Sequence, residues 1–223
     1  MVAVYRTMQE IVYDTIREAI LSGRYPPGQR LVADDLAREM NVSRMPIREA
    51  LHRLEVIGLI TMSPHRGAVV SELSEDEIVE IYHMRAVLDG LATRLATSKL
   101  TNADHDRLNS LLDAMTDAAQ KNDLEKLLQI NREFHMVIWK AANAPRLQEM
   151  LENLYDTSQR FRNLSLLLPG RLDQIGQEHR VIAEALARGD ADAAERFANE
   201  HHESTAQRLL AAIEKNHDQE SIK

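Results

Sequence analysis

Residues 31–70 read LVADDLAREMNVSRMPIREALHRLEVIGLITMSPHRGAVV, and this stretch decides the fold of the N-terminal part. Leu36, Ala37 and Met40 share one helical face, and Asn41-Val42-Ser43 interrupts it. Ser43 is placed to accept a hydrogen bond from a free backbone N–H as an N-cap. Pro46 fits the first turn of a second helix, where few amide donors are needed. Ile47, Ala50, Leu51 and Leu54 then recur at spacings of three and four, while Arg44, Arg48, His52 and Arg53 occupy the other face. Gly58 ends this helix. Leu59-Ile60-Thr61-Met62 alternates as a strand would, Ser63-Pro64-His65-Arg66-Gly67 supplies a turn, and Ala68-Val69-Val70 returns. The pattern is a helix-turn-helix with a β-wing.

Its cations sit at the exposed start of the second helix and again at the wing tip. Solvated surface arginines would explain either cluster alone. Both together match a recognition helix that offers its N-terminal residues to the major groove while neighbouring groups hold phosphates. The expected DNA contacts are Ser43, Arg44 and Arg48 on the helix and His65, Arg66 and Gly67 on the wing.

Working outward, residues 5–22 form an amphipathic helix with Met8, Ile11, Val12, Thr15, Ile16, Ala19 and Ile20 on one face. Tyr25-Pro26-Pro27-Gly28 turns into a short strand at 29–31. On this reading residues 1–70 are a DNA-binding domain and 71–74 a linker. Ser74 and Glu77 form a Ser-x-x-Glu capping box that announces a new helix. From there to residue 214 the periodicity is helical throughout, with expected helices at 75–98, 102–121, 124–142, 145–167, 171–188 and 191–214. Thr101, Asp123 and Asp190 are expected caps; Pro145 and Pro169-Gly170 are breaks. The fold class is therefore mostly α: a winged helix followed by an antiparallel helical bundle at 75–214, with a polar tail at 215–223.

The net charge of −8 is unusual for a DNA binder. Residues 1–70, however, hold nine Lys and Arg against eight Asp and Glu, so the acidity lies in the bundle. A net of +1 on one module is modest, and tight binding calls for two modules, hence a homodimer on a palindromic double-stranded operator. The chain has no cysteine, which excludes disulfides and thiolate metal sites. No apolar run is long enough to span a bilayer and no signal-peptide pattern opens the chain, so the expected location is cytoplasmic, without a membrane partner.

Inside the bundle, Asn131 and His135 are four residues apart and share a helical face. His179 and His201 lie on two later helices. Imidazoles and an amide oxygen converging from three helices suit a borderline divalent ion such as Zn²⁺, Ni²⁺ or Mn²⁺. The chain has nine histidines, and each alone fits a surface or core role equally well. Of the adjacent His201 and His202, only one is expected to face the bundle centre.

Two sets of motifs resemble a known family. Asn41-Val42-Ser43-Arg44-Met45-Pro46-Ile47-Arg48-Glu49-Ala50-Leu51, then Leu54-Glu55-Val56-Ile57-Gly58-Leu59-Ile60 and Arg66-Gly67, resemble the winged helix of the GntR family of bacterial transcription regulators. That family usually has Thr where Met45 stands and Glu where Ile57 stands, so one hydroxyl contact to DNA is missing. Residues 75–210 resemble the ligand-binding domain of its FadR subfamily. The matching stretches are Arg85-Ala86-Val87-Leu88-Asp89, Asn131-Arg132-Glu133-Phe134-His135, Asn143-Ala144-Pro145-Arg146-Leu147 and Glu178-His179-Arg180. The resemblance implies a divalent metal on Asn131, His135, His179 and His201, the spacing favouring His201 over His202. It also implies a small carboxylate effector, such as a sugar or hydroxy acid, beside the metal.

Arg85 is the expected anchor for that carboxylate, with an internal ion pair to Asp89 as the competing role; Arg162 could face the same cavity but is not counted as an anchor. The implied function is a metabolite-responsive transcription regulator and not an enzyme. The competing readings are a metal-dependent enzyme with a DNA-docking module and an architectural DNA binder that ignores small carboxylates. Against the first, no carboxylate is obviously paired with the histidines as a general base.

Overall fold

A computed structural model describes residues 7–21, 24–63, 67–71 and 74–221. The chain divides into two compact units, Met1–Glu75 with Ala211–Lys223 and Asp76–Leu210.

In the first unit, helix α1 (Met8–Leu21) packs on α3 (Arg44–Val56), and α2 (Ala33–Glu39) precedes α3 through a tight turn. Asn41 adopts φ 53° in that turn, a left-handed conformation that asparagine tolerates better than most residues. Val12, Ile47 and Leu54 are wholly buried and form the centre of this small core. A three-stranded antiparallel sheet, in the order β1 (Arg30–Leu31), β3 (Gly67–Val70), β2 (Ile60–Ser63), pairs Arg30 with Val69 and Met62 with Ala68.

Two details differ from the sequence reading. Ser43 takes the extended N-cap conformation, but its side chain makes no capping hydrogen bond. Leu59 is still part of the helix-closing turn, its N–H bonded to Leu54 O, so strand β2 starts one residue later. Leu59 and Ile60 are both buried and Thr61 and Met62 both exposed, so the expected alternation is absent.

After the sheet the described residues form only helices: α4 (Glu75–Thr97), α5 (Asn102–Gln120), α6 (Leu124–Ala141), α7 (Pro145–Thr157), α8 (Gln159–Leu167), α9 (Arg171–Ala187) and α10 (Ala191–Ser221), of which 76–210 make up the second unit. Local chemistry explains the starts. Thr101 and Asp104 form a reciprocal capping box, Asp123 accepts from Lys126 N at 3.0 Å, and Asp190 accepts from Ala193 N at 3.0 Å. Pro145 opens α7, where its missing N–H is not needed. Helix α5 packs against α6 and α9 around Leu108, Met115, Phe134, Trp139 and Ile182. Each such side chain contributes about 1.5–3 kcal/mol through burial.

The expected single helix at 145–167 is two helices that meet at Ser158. Ser158 is fully buried, and its Oγ donates to Tyr155 O at 3.1 Å while accepting from Arg85. A short hydroxyl side chain that engages its own backbone competes with helical bonding. One further contact positions the site. At Gly90 a Cβ atom would lie 1.8 Å from the Asn199 side-chain amide, whose nitrogen donates to Ala86 O and Glu195 O. Only glycine lets α4 and α10 approach this closely, and the approach brings Asp89 against His202.

Candidate metal centre and nucleic-acid interface

On the winged helix, Arg44 and Arg48 project from the first turn and a half of α3 and are exposed. Arg44 is engaged with Asp34 at 2.6 Å, a surface pair that leaves most of its side chain in solvent. Arg48 has no ion-pair partner among the described residues. Together with Arg30, His52, Met62 and Gly67 it borders a groove of about 480 Å³ between α3 and the sheet. Arg53, expected on the same cationic face, instead stacks its guanidinium 4.1 Å from the Tyr13 ring centroid and ties α3 to α1. Gly67 opens β3 with φ +74°, a value that suits glycine at a tight turn. His65 and Arg66 lie outside the described residues.

In the bundle, the polar residues singled out from sequence come together. Asn131 and His135 lie in the buried stripe of α6, His179 in that of α9, and His201 is 5% exposed on α10. The ring centroids of His135, His179 and His201 are 4.6–5.6 Å apart, and one ligand atom from each falls within 4.8 Å of the others.

In each ring Nδ1 is already engaged. His179 Nδ1–H donates to Ile175 O at 2.7 Å, His201 Nδ1–H to Glu178 at 2.7 Å, and His135 Nδ1 sits 3.3 Å from Asp89. These acceptors fix the tautomer and leave the Nε2 lone pairs free. His135 Nε2, His179 Nε2 and Asn131 Oδ1 are buried without a hydrogen-bond partner. Three unpartnered buried acceptors are costly in any protein, by about 1–3 kcal/mol each. A divalent cation among them removes that penalty.

Electrostatics favour the same species. Burial, reinforced by its histidine neighbours, holds His179 well below the usual imidazole range. Burial lowers His201 to about 3 despite its bond to Glu178. Both rings are neutral at physiological pH, as metal ligation requires. Burial alone would raise the Glu178 carboxyl, but His201 and Arg171 outweigh it and leave it ionised well below its ordinary range.

Beside the histidines lies a cavity of about 20 Å³, bordered by Tyr82, Arg85, Asn131, Arg162, His201 and His202. Arg85 is 2% exposed and donates to Ser158 Oγ at 3.1 Å; it forms no ion pair with Asp89. Arg162 also borders the cavity. It bonds Tyr155 O and Ser158 Oγ, and burial pulls its guanidinium down to about 10, still protonated near neutrality. The buried Tyr82 hydroxyl on the same wall has no partner.

His202 corrects an expectation. It is 1% exposed and faces inward like His201, its ring stacked at 5.7 Å on His135 and its Nε2 at 2.5 Å from Asp89. Consecutive helical residues point about 100° apart. Helix α10 offers both directions a polar partner, Glu178 on α9 for His201 and Asp89 on α4 for His202. Asp89, Ser158, Arg171 and Glu178 were not read as site residues. For Asp89 and Arg85 the available signal was two charges four residues apart within an otherwise apolar helical stripe.

Residues 80–204 match the FCD domain family, and residues 8–70 match the bacterial regulatory proteins of the gntR family. The chain belongs to the GntR family and carries an FCD domain. Among GntR relatives, the HTH-type transcriptional regulator McbR of Escherichia coli K12 is 33% identical over 65% of this chain and 65% of its own. The HTH-type transcriptional repressor RspR of the same organism is 26% identical over 93% of this chain and 91% of its own. The solved structure of E. coli McbR covers 93% of this chain and 99% of its own, with 26% identity and a TM-score of 0.59. These GntR relatives are named as transcription regulators, not enzymes, and the fold is that of an N-terminal winged helix with a helical domain. No helix among the described residues is long and apolar enough to cross a membrane.

Proposed function

We propose that the chain is a metabolite-responsive regulator that binds a double-stranded operator as a homodimer. Ser43, Arg44 and Arg48, with His65, Arg66 and Gly67 of the wing, are its DNA contacts. Asn131, His135, His179 and His201 hold one divalent ion, zinc, nickel or manganese, in the bundle. The observation that carries the reading is the set of buried, unpartnered acceptors on Asn131, His135 and His179.

When bound, such an ion supplies a Lewis-acidic position that attracts a carboxylate or hydroxyl oxygen. Arg85, joined by Arg162, orients the carboxylate through charge-assisted hydrogen bonds. A cavity of about 20 Å³ admits roughly one water. Arg85 and Arg162 both border this cavity, so a carboxylate beside the ion meets a guanidinium on either side. Effector binding in the bundle favours one arrangement of the two winged helices, and operator affinity follows as a population shift.

The test is the metal content of the purified protein by mass spectrometry, beside a His135→Ala, His179→Ala double variant. Near one equivalent of a divalent ion, lost in the double variant, is expected. A protein that takes up no metal after incubation with zinc, nickel or manganese would leave a polar pocket and remove the chelating carboxylates as the effector class.

A further inference from the structure

The four groups assigned to the ion are all uncharged: three imidazoles and an amide. Two carboxylates stand behind them, the partly exposed Glu178 and the buried Asp89, and they are not equivalent. Glu178 is matched by Arg171 at 2.6 Å as well as by His201. Asp89 is 1% exposed and has no Lys or Arg within ion-pair distance among the described residues. Its nearest arginine along α4, Arg85, is turned to Ser158. The groups that hold Asp89 are a neutral indole, Trp139 Nε1–H at 2.5 Å on one oxygen, and two histidines on the other, His202 at 2.5 Å and His135 at 3.3 Å.

A fully buried carboxylate without a cation is expensive, and its position beyond the Nδ1 edge of His135 says where the missing positive charge belongs. That charge lies across the ring, at the unpartnered Nε2 of the same histidine. A carboxylate hydrogen-bonded to the far nitrogen of a ligating histidine raises the basicity of the near one and fixes the ring. We infer that Asp89, clamped by Trp139 and His202, is a positioning residue for the metal centre: it supplies through His135 the negative charge that Asn131 does not.

The inference rests on the metal reading above and is tested on the full-length protein. Metal-free protein is titrated with zinc against a chromophoric chelator for the wild type, Asp89→Asn, Asn131→Asp and the double variant. Asp89→Asn is expected to weaken zinc binding 10- to 100-fold. Asn131→Asp, which moves a carboxylate into the ligand set, is expected to recover most of that loss in the double variant. A merely structural Asp89 would lower the thermal midpoint of the metal-free protein without any recovery by Asn131→Asp.

Should Asp89→Asn not fold, the zinc-loaded wild type decides. His135 Hδ1 should give a slowly exchanging resonance shifted as carboxylate-bonded imidazole protons are; a freely exchanging one overturns the inference. Zinc binding abolished by His202→Ala but kept in His179→Ala also overturns it, because the ion would then sit on Asp89, His135 and His202. A wild type that takes up no metal sinks the metal reading itself. Wild-type binding left unchanged by Asp89→Asn sinks only the role given to Asp89.

Discussion

Arg48 and Arg171 carry the same guanidinium into opposite surroundings. Arg48 stands in water on α3 without an ion-pair partner among the described residues, whereas Arg171 is 1% exposed on α9 and bonded to Glu178 and Thr205. A charge left solvated is available to an incoming phosphate and does nothing for the fold. A charge taken out of water must be matched, and the match becomes part of the structure. The winged helix leaves this charge in solvent, and the bundle builds its own into the core.

The comparison is broken most directly at Arg171. Replacing it with Met keeps much of the volume but leaves the partly exposed Glu178 carboxylate with only a neutral His201 and the Ser204 hydroxyl. Removing one member of a buried pair destabilises by about 3–5 kcal/mol. Urea denaturation followed on Trp139, the single tryptophan and a core residue of the bundle, reads this unit specifically. A shift under about 1 kcal/mol would mean that the pair is replaceable and that the bundle does not depend on its site.

A smaller effect comes from acid. His201 and His202 are held by burial at about 3 in the folded protein, against 6.5 for the free side chain. Between those values the unfolded chain binds protons that the folded chain refuses, so stability is complete above pH 6.5 and falls as pH drops toward 3. The slope is about 1.4 kcal/mol per pH unit for each histidine. Trp139 fluorescence of the metal-free protein should report progressive loss of the bundle from pH 6.5 downward, and His202→Asn should flatten the slope. A bundle equally stable at pH 7 and pH 5 would contradict the neutral, buried state of these rings.

The same contrast explains what could be read from the sequence. In the winged helix, the groups that matter are neighbours along the chain, and the helix, turn and strands follow from local spacing. The errors there were local too: Leu59 was placed in a strand because the hydrogen bond that keeps it in the turn is invisible in composition. In the bundle, Asn131 and His135 were legible because four residues bring side chains to one face. The pair of Asp89 and Trp139 spans fifty residues and forms only after α4 and α6 pack. The break at Ser158 carries no sequence signal, since neither glycine nor proline marks it, and the buried hydroxyl meets Arg85 and Arg162 only in the folded bundle. His202 was set aside by a rule about adjacent residues that holds for a helix with one polar neighbour, and α10 has two.

The smallest expected change in stability is at Arg48, and there the comparison is sharpest. Arg48→Ala removes an exposed side chain with no ion-pair partner among the described residues, and alanine favours a helix at least as well, so the urea midpoint should stay within about 0.5 kcal/mol of wild type. Binding should respond differently. A base-contacting arginine is worth about 1–3 kcal/mol per module, and a dimer loses it twice. Gel-shift or fluorescence-anisotropy titration with the operator, at fixed salt, should therefore show affinity falling at least 25-fold while the fold is untouched. If the loss were equal on operator and unrelated DNA, Arg48 would be a phosphate contact, and its removal would lower the salt dependence of binding by about one unit per module. If folded Arg48→Ala bound the operator normally, the exposed cation on α3 would be ordinary surface charge, and Arg48 would not be a DNA contact.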